Sequence, residues 1–226
     1  MLERMKHDTL RQFRTNRRRH RTRGIRTACL TLLTLLALAG LAGCSSPDAH
    51  LDWRLNTSVH GHMPDLDFQL TDDSGHAVTG KDYRGKTVIL YFGYTHCPDV
   101  CPLTLTHLHM VMQKLGTKAD DVRILFVSVD PARDTPEIMH RYVNAFDKHA
   151  VGLTGTERQI RDIAKRYRVA YNRGKDNGRG GYEVSHSSAL YIFDHKGRIR
   201  LLATPSADNN DIAHDLDQLI TLENRS

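Results

Sequence analysis

The chain predicts an α/β sandwich, a mixed sheet flanked by helices. Three observations carry that expectation. Two near-continuous apolar, β-rich runs, residues 87–94 (TVILYFGY) and 122–129 (VRILFVSV), read as strands buried on both faces. Between and after them lie stretches with apolar residues at helical spacing. The chain then closes with a hairpin signal and one more helical stretch.

Taken in order, residues 67–71 read as a short strand, and Asp72-Asp73-Ser74-Gly75 as the turn that ends it. After the first buried run, residues 102–115 place Leu105, Leu108, Met112 and Leu115 on one helical face. Beyond the second run, residues 135–148 and 156–168 are helix candidates. The latter starts at Thr156 as N-cap and carries Ile160, Ile163, Ala164 and Tyr167 on one side. Residues 172–181 hold four glycines and four charges, a surface loop. Residues 189–194 and 199–203 flank His195-Lys196-Gly197-Arg198, a β-hairpin. Residues 208–222 form the closing helix. There is no internal repeat.

Charge separates the N-terminus from the rest. The 226 residues carry 32 Lys+Arg against 26 Asp+Glu, a net of +6. Residues 1–43 hold ten of the basic and two of the acidic residues, which leaves 44–226 with a net of −2. The basic excess is thus no footprint for nucleic acid on the folded part. The basic leader runs into 28–42, uncharged and rich in leucine. That stretch is shorter than the roughly 20 residues a spanning helix needs. Charge, then a short apolar run, then small residues is the order of a secretory signal. The run ends Leu41-Ala42-Gly43-Cys44, which resembles the lipobox of bacterial lipoproteins, in which the cysteine becomes the lipidated first residue. The expected organisation is a signal peptide of lipoprotein type over 1–43, a polar tether over 44–65 and a folded domain over 66–226. Such a protein would be held by lipid on Cys44 at the bacterial cell envelope, facing the periplasm or outer side.

Of the four cysteines, Cys29 lies in the segment expected to be removed and Cys44 at the lipid site. The domain keeps Cys97 and Cys101. Export favours a disulfide, yet closing so short a loop contributes only about 2 kcal/mol of chain entropy, and strain can consume it. Reactivity or metal binding is the better reason for the pair. Tyr94-Thr95-His96-Cys97-Pro98-Asp99-Val100-Cys101-Pro102 sits between a buried strand and a helix, where α/β sheets collect ligands. A thiol at a helix N-terminus faces the positive end of the macrodipole, which favours thiolate. Two thiolates side by side repel, and either a cation or a disulfide relieves them.

Three segments carry a resemblance: FGYTHCPDVCP, then VSVDPARDTPE at 127–137, then YEVSHSSALYIFD at 182–194. Over roughly residues 60–222 the chain resembles the Sco/SenC family of copper-handling proteins. The resemblance implies a thioredoxin-like fold and copper held by Cys97, Cys101 and the distant His186. It also implies a metallochaperone role in assembling the copper A centre of cytochrome c oxidase, with oxidase subunit II as partner and a periplasmic copper carrier or thiol reductase as further partners. Many members have Asp just before the ligand histidine. Here Ser185 stands there, which puts a contact to the imidazole in doubt. Two thiolates and one imidazole suit trigonal Cu(I), leave a structural zinc site one ligand short, and can also support Cu(II). His186 must be neutral to ligate, so affinity falls as pH drops through its titration. The competing reading makes Cys97 and Cys101 the catalytic redox pair of a thiol–disulfide oxidoreductase that reduces the target's cysteines before copper insertion.

The remaining polar candidates have plainer accounts. His96 adjoins Cys97, but neighbouring side chains rarely converge on one ion. His60 and His62 belong to the tether, and His107 and His109 to a helix surface. Asp134 or Thr135 can cap the next helix. Asp130, at a strand's carboxyl end, borders the site or faces a partner.

Overall fold

The computed structural model describes residues 52–55, 59, 61–175 and 181–223. The signal segment and Cys44 lie outside them. Nine strands and four α-helices are described: β1 (Gln69–Asp72), β2 (Ala77–Thr79), β3 (Thr87–Gly93), α1 (Val100–Leu115), β4 (Val122–Ser128), α2 (Pro136–Asn144), β5 (Ala150–Thr154), α3 (Glu157–Arg166), β6 (Tyr171–Arg173), β7 (Val184–His186), β8 (Leu190–Phe193), β9 (Ile199–Ala203) and α4 (Asn209–Glu223).

The main sheet has the order β2-β1-β5-β4-β3-β8-β9. Its centre, β5-β4-β3, is parallel, and antiparallel strands extend it on both sides. It is the mixed sheet that the strand–helix–strand order followed by a hairpin implies. Every residue of β3 is buried, as the apolar run at 87–94 predicts. Helices α1 and α4 pack on each other, α2 packs on β5, and α3 lies against β1. The amphipathic face read at 156–168 is the buried one: Ile160, Ile163, Ala164 and Tyr167. Thr156 caps that helix, its Oγ1 accepting from the Gln159 amide while Gln159 Oε1 accepts from the Thr156 amide, a reciprocal box.

Two differences from the sequence reading matter. Strand β5 was not anticipated. The helix read at 135–148 ends at Asn144 because Asp147 turns the chain, its Oδ1 accepting from the His149 amide at 2.8 Å. The strand that follows then pairs with both β4 and β1. Gly152 within it has a steric reason, since a Cβ there would stand 2.8 Å from Met139 Cβ. The second difference is a small separate sheet, β6 paired with β7, built where the sequence suggested mainly loop.

The described part of 44–65 rests on the domain. Arg54 and Leu55 amides donate to the two carboxylate oxygens of buried Asp215 in α4, each at 3.0 Å. The Val59 amide donates to the Arg200 carbonyl at 3.1 Å, and Asp65 accepts from the Tyr167 hydroxyl at 2.9 Å. Trp53 lies under the Arg200 guanidinium, 5.8 Å from ring centroid to Cζ. Among the described residues no helix is long and apolar enough to cross a membrane.

Candidate metal centre

Parallel strands β3 and β4 end side by side, Gly93 opposite Ser128. The chain leaving β3 turns through residues 94–99 and enters α1 with Cys101 as its second residue. The loop is held from beneath. Fully buried Asp134 accepts from the Thr95 amide at 3.0 Å, from Thr95 Oγ1 at 2.6 Å and from Ser128 Oγ at 2.5 Å. Asp134 therefore ties the cysteine loop to β4, while Thr135 is the N-cap of α2. The sequence offered Asp134 only as an alternative cap. Its anchoring role is a long-range contact that local patterns do not encode.

Helix α1 starts at Asp99, whose side chain makes no capping bond. Instead the Cys101 amide donates to Cys97 Sγ at 3.4 Å, so a first-turn N–H of the helix points at that sulfur. Cys101 is fully buried against β3, and Cys97 is barely accessible. The close approach requires Gly93. A Cβ there would stand 2.9 Å from Cys101 Sγ and 2.5 Å from Phe126 Cε2. Both cysteines are free thiols.

His186 arrives from the other side, 85 residues away in sequence, as the last residue of β7. Its Nε2 lies 3.4 Å from Cys101 Sγ, and its Nδ1 lies 3.0 Å from the Ser187 carbonyl. A carbonyl only accepts, so Nδ1 carries the proton and Nε2 presents a lone pair to the sulfur. That bond supplies the second contact on the imidazole, and Ser185 is not needed for it. Ser185 is exposed and its Oγ donates to the Asn172 carbonyl. The imidazole packs edge-on against Tyr94 and Tyr91, with centroids at 6.0 and 6.4 Å.

Cys97 Sγ, Cys101 Sγ and a His186 nitrogen all lie within 4.8 Å of one another, an arrangement that can hold a metal ion. It is the single such group of His, Cys, Asp and Glu among the described residues. Burial pushes the Cys101 thiol up to about 12. Low-dielectric surroundings thus oppose the thiolate that a helix N-terminus favours. Burial also lowers the His186 pKa, with the Ser187 contact opposing it. A neutral thiol thus faces a neutral imidazole, and a soft cation binding there has to displace the thiol proton.

The other candidates lie elsewhere. His96 is half exposed and touches Thr95 Oγ1 and Asp134. His107 lies 3.4 Å from the Pro205 carbonyl through Nδ1, and His109 binds Asp147. His60 is outside the described residues. Asp130 is buried just beyond β4 and accepts from the Tyr182 hydroxyl at 2.7 Å.

Comparison with known proteins places these residues in context. The family model described as SCO1/SenC matches residues 60–221. The SCO2-like protein RP587 of Rickettsia prowazekii is 37% identical over 132 residues, 58% of this chain and 64% of that protein. The human protein SCO1 homolog, mitochondrial, is 40% identical over 132 residues, 58% of this chain and 44% of that one. The chain thus spans about half to two thirds of the length of these relatives. Among solved structures, Bradyrhizobium japonicum ScoI with copper bound superposes with a TM-score of 0.64 at 39% identity, covering 69% of this chain and 98% of that one. Yeast Sco1 with copper bound gives 0.63 at 31% identity, over 70% and 90%. The chain belongs to the SCO1/SenC family and has its thioredoxin-like fold.

Proposed function

We propose that this member of the SCO1/SenC family is a membrane-anchored copper metallochaperone. Cys97, Cys101 and His186 hold the ion and pass it by ligand exchange to the copper A centre of cytochrome c oxidase, in subunit II. The observation that supports this best is the convergence of two thiols and one imidazole nitrogen within 4.8 Å. Three soft or borderline donors suit Cu(I) and leave a structural zinc site incomplete. Relatives of 31% and 39% identity are known with copper bound. Lipid on Cys44 would hold the domain at the envelope, close to a membrane-embedded acceptor.

The test is a Cu(I) titration of the reduced domain against a competing chelator, followed by transfer to the soluble copper-A domain of subunit II. Retention of one equivalent, lost in Cys101→Ser and strongly weakened in His186→Ala, supports the reading. Undiminished affinity in His186→Ala overturns the three-ligand site. Recovery of palmitate label on wild type but not on Cys44→Ser tests the anchor.

A second reading, disulfide reduction, is favoured by the amide that points at Cys97. In that scheme the Cys97 thiolate attacks a target disulfide, forming a mixed disulfide and releasing one target sulfur as thiolate. Cys101 gives its proton to His186 Nε2, 3.4 Å away, and attacks Cys97. The products are a Cys97–Cys101 disulfide and a reduced target. A domain that reduces the target's cysteines but retains no copper would decide for this reading.

A further inference from the structure

His186 is the last residue of a short strand outside the main sheet. Strand β7 is three residues long and pairs only with the equally short β6, apart from the main sheet. A two-stranded hairpin is marginal on its own, yet His186 Nε2 has to be kept 3.4 Å from Cys101 Sγ.

One side chain connects this hairpin to the loop that follows β4. Tyr182, two residues before β7, donates its hydroxyl proton to Asp130 Oδ1 at 2.7 Å. Its ring is clasped on both sides by guanidinium groups. Arg133 Cζ stands 3.8 Å from the ring centroid, and Arg173 Cζ, from β6, stands 3.7 Å away. Arg133 belongs to the β4–α2 loop, pairs through Nε with Asp130 Oδ2, and has a buried Nη2 without a hydrogen-bond partner. That Nη2 is consistent with a guanidinium held by stacking on the ring rather than by saturated hydrogen bonding. Beyond this stack, the Val184 amide donates to the Tyr94 hydroxyl at 3.3 Å, the Val184 side chain is buried, and the His186 ring packs on Tyr94 and Tyr91.

We propose that Tyr182, clasped by Arg133 and Arg173 and bound to Asp130, is a positioning residue that latches the β6–β7 hairpin and thereby holds His186 over the thiol pair. The hairpin closes the site when the latch is made. It lifts the imidazole away when the latch opens, leaving the ion on two sulfurs and open to an incoming ligand. This rests on the proposed copper site, but the latch itself is observable without metal.

Amide hydrogen exchange is measured on the metal-free protein, wild type against Tyr182→Phe, which removes only the hydroxyl, and Arg133→Lys, which keeps the charge and loses the planar stack. Exchange in residues 182–187 is expected to quicken about tenfold, with the main sheet unchanged, because a single contact to a carboxylate is lost. Cu(I) affinity is then measured in each variant and in the His186→Ala background. The variants are expected to weaken binding roughly 10-fold, as outer contacts to a ligand do. In His186→Ala they are expected to have no further effect, because the latch acts only through that imidazole. Unchanged hairpin exchange overturns the latch, as does an equal loss of affinity with and without His186. Failure of wild type to bind copper would count against the site alone, and the exchange result would still decide the latch.

Discussion

The two ends of the central strands each gather histidines and acidic or thiol side chains, and at only one of them do three ligand atoms converge as a metal ion would need. At the carboxyl ends of β3 and β4, Cys97, Cys101 and His186 converge with the Nε2 lone pair of His186 facing a sulfur. At the amino ends of β4 and β5 lie Asp120, His149, Asp147 and His109. There the nitrogens are already engaged. His149 Nδ1 meets Asp147 at 2.7 Å and its Nε2 meets Asp120 at 3.0 Å. His109 Nδ1 meets Asp147 at 2.8 Å and its Nε2 meets Gln113 at 3.0 Å. The second cluster is a closed hydrogen-bond chain that fastens α1 to the approaches of β4 and β5. Ligand types alone do not make a metal site. What sets the first group apart is that its donors, two sulfurs and the imidazole Nε2, face one another within 4.8 Å, an arrangement that could hold an ion.

The comparison breaks most sharply on ligand removal. His186→Ala is expected to lower Cu(I) affinity by more than the roughly 100-fold that marks the upper range for outer contacts, while His149→Ala leaves it unchanged within about twofold because the sites do not share partners. Competition titrations of the two variants check this, and equal losses would erase the distinction.

Protons sharpen it next. Because burial holds the Cys101 thiol at about 12, loading at neutral pH releases its proton. Apparent Cu(I) affinity is expected to rise at least about tenfold per pH unit between roughly 7 and 9. It falls more steeply below the lowered pKa of His186, where the imidazole protonates. A flat profile over that range would contradict a protonated Cys101.

The far cluster is expected to report in stability instead. Burial would raise the Asp147 carboxyl, but the His149 amide and the two imidazoles hold it below its ordinary value of 3.8. Its contribution is complete above that value and is lost as pH falls through the lowered one. Asp147→Asn is expected to cost about 1–3 kcal/mol in denaturant unfolding near pH 7 and to converge with wild type in acid. An identical gap at all pH values would refute the sign.

Gly93→Ala tests how tightly the site is tied to the core, since its Cβ meets Cys101 and Phe126 together. Overpacking of this kind costs about 1–3 kcal/mol, and copper affinity is expected to fall with stability. The smallest effect is at neither end: Thr156→Ala is expected to cost about 1 kcal/mol with copper binding intact, as read by thermal unfolding and titration.

Much of this was legible locally. The burial of β3 and β4 is written in their apolar runs, and the cap at Thr156 in its own tetrapeptide. Strand β5 was hidden because five residues interrupted by Gly152 carry little periodicity, and their pairing with β1 is a distant contact. The cysteine pair announced itself by spacing and flanking prolines. Asp134 did not, because its partners Thr95 and Ser128 come from two other segments.

The amino-acid order by itself determined the two buried central strands, the helices that flank them and the closing hairpin, the placing of Cys97 and Cys101 at a strand-to-helix turn, and, through resemblance, the candidacy of His186. It could do so because periodicity, capping and short spacing are properties of neighbouring residues. Tertiary structure alone decided which imidazole nitrogen faces the sulfur, that burial keeps Cys101 protonated, and that Tyr182 spans from the hairpin to Asp130. Those depend on desolvation and on contacts across tens of residues, which exist only once the chain has closed on itself.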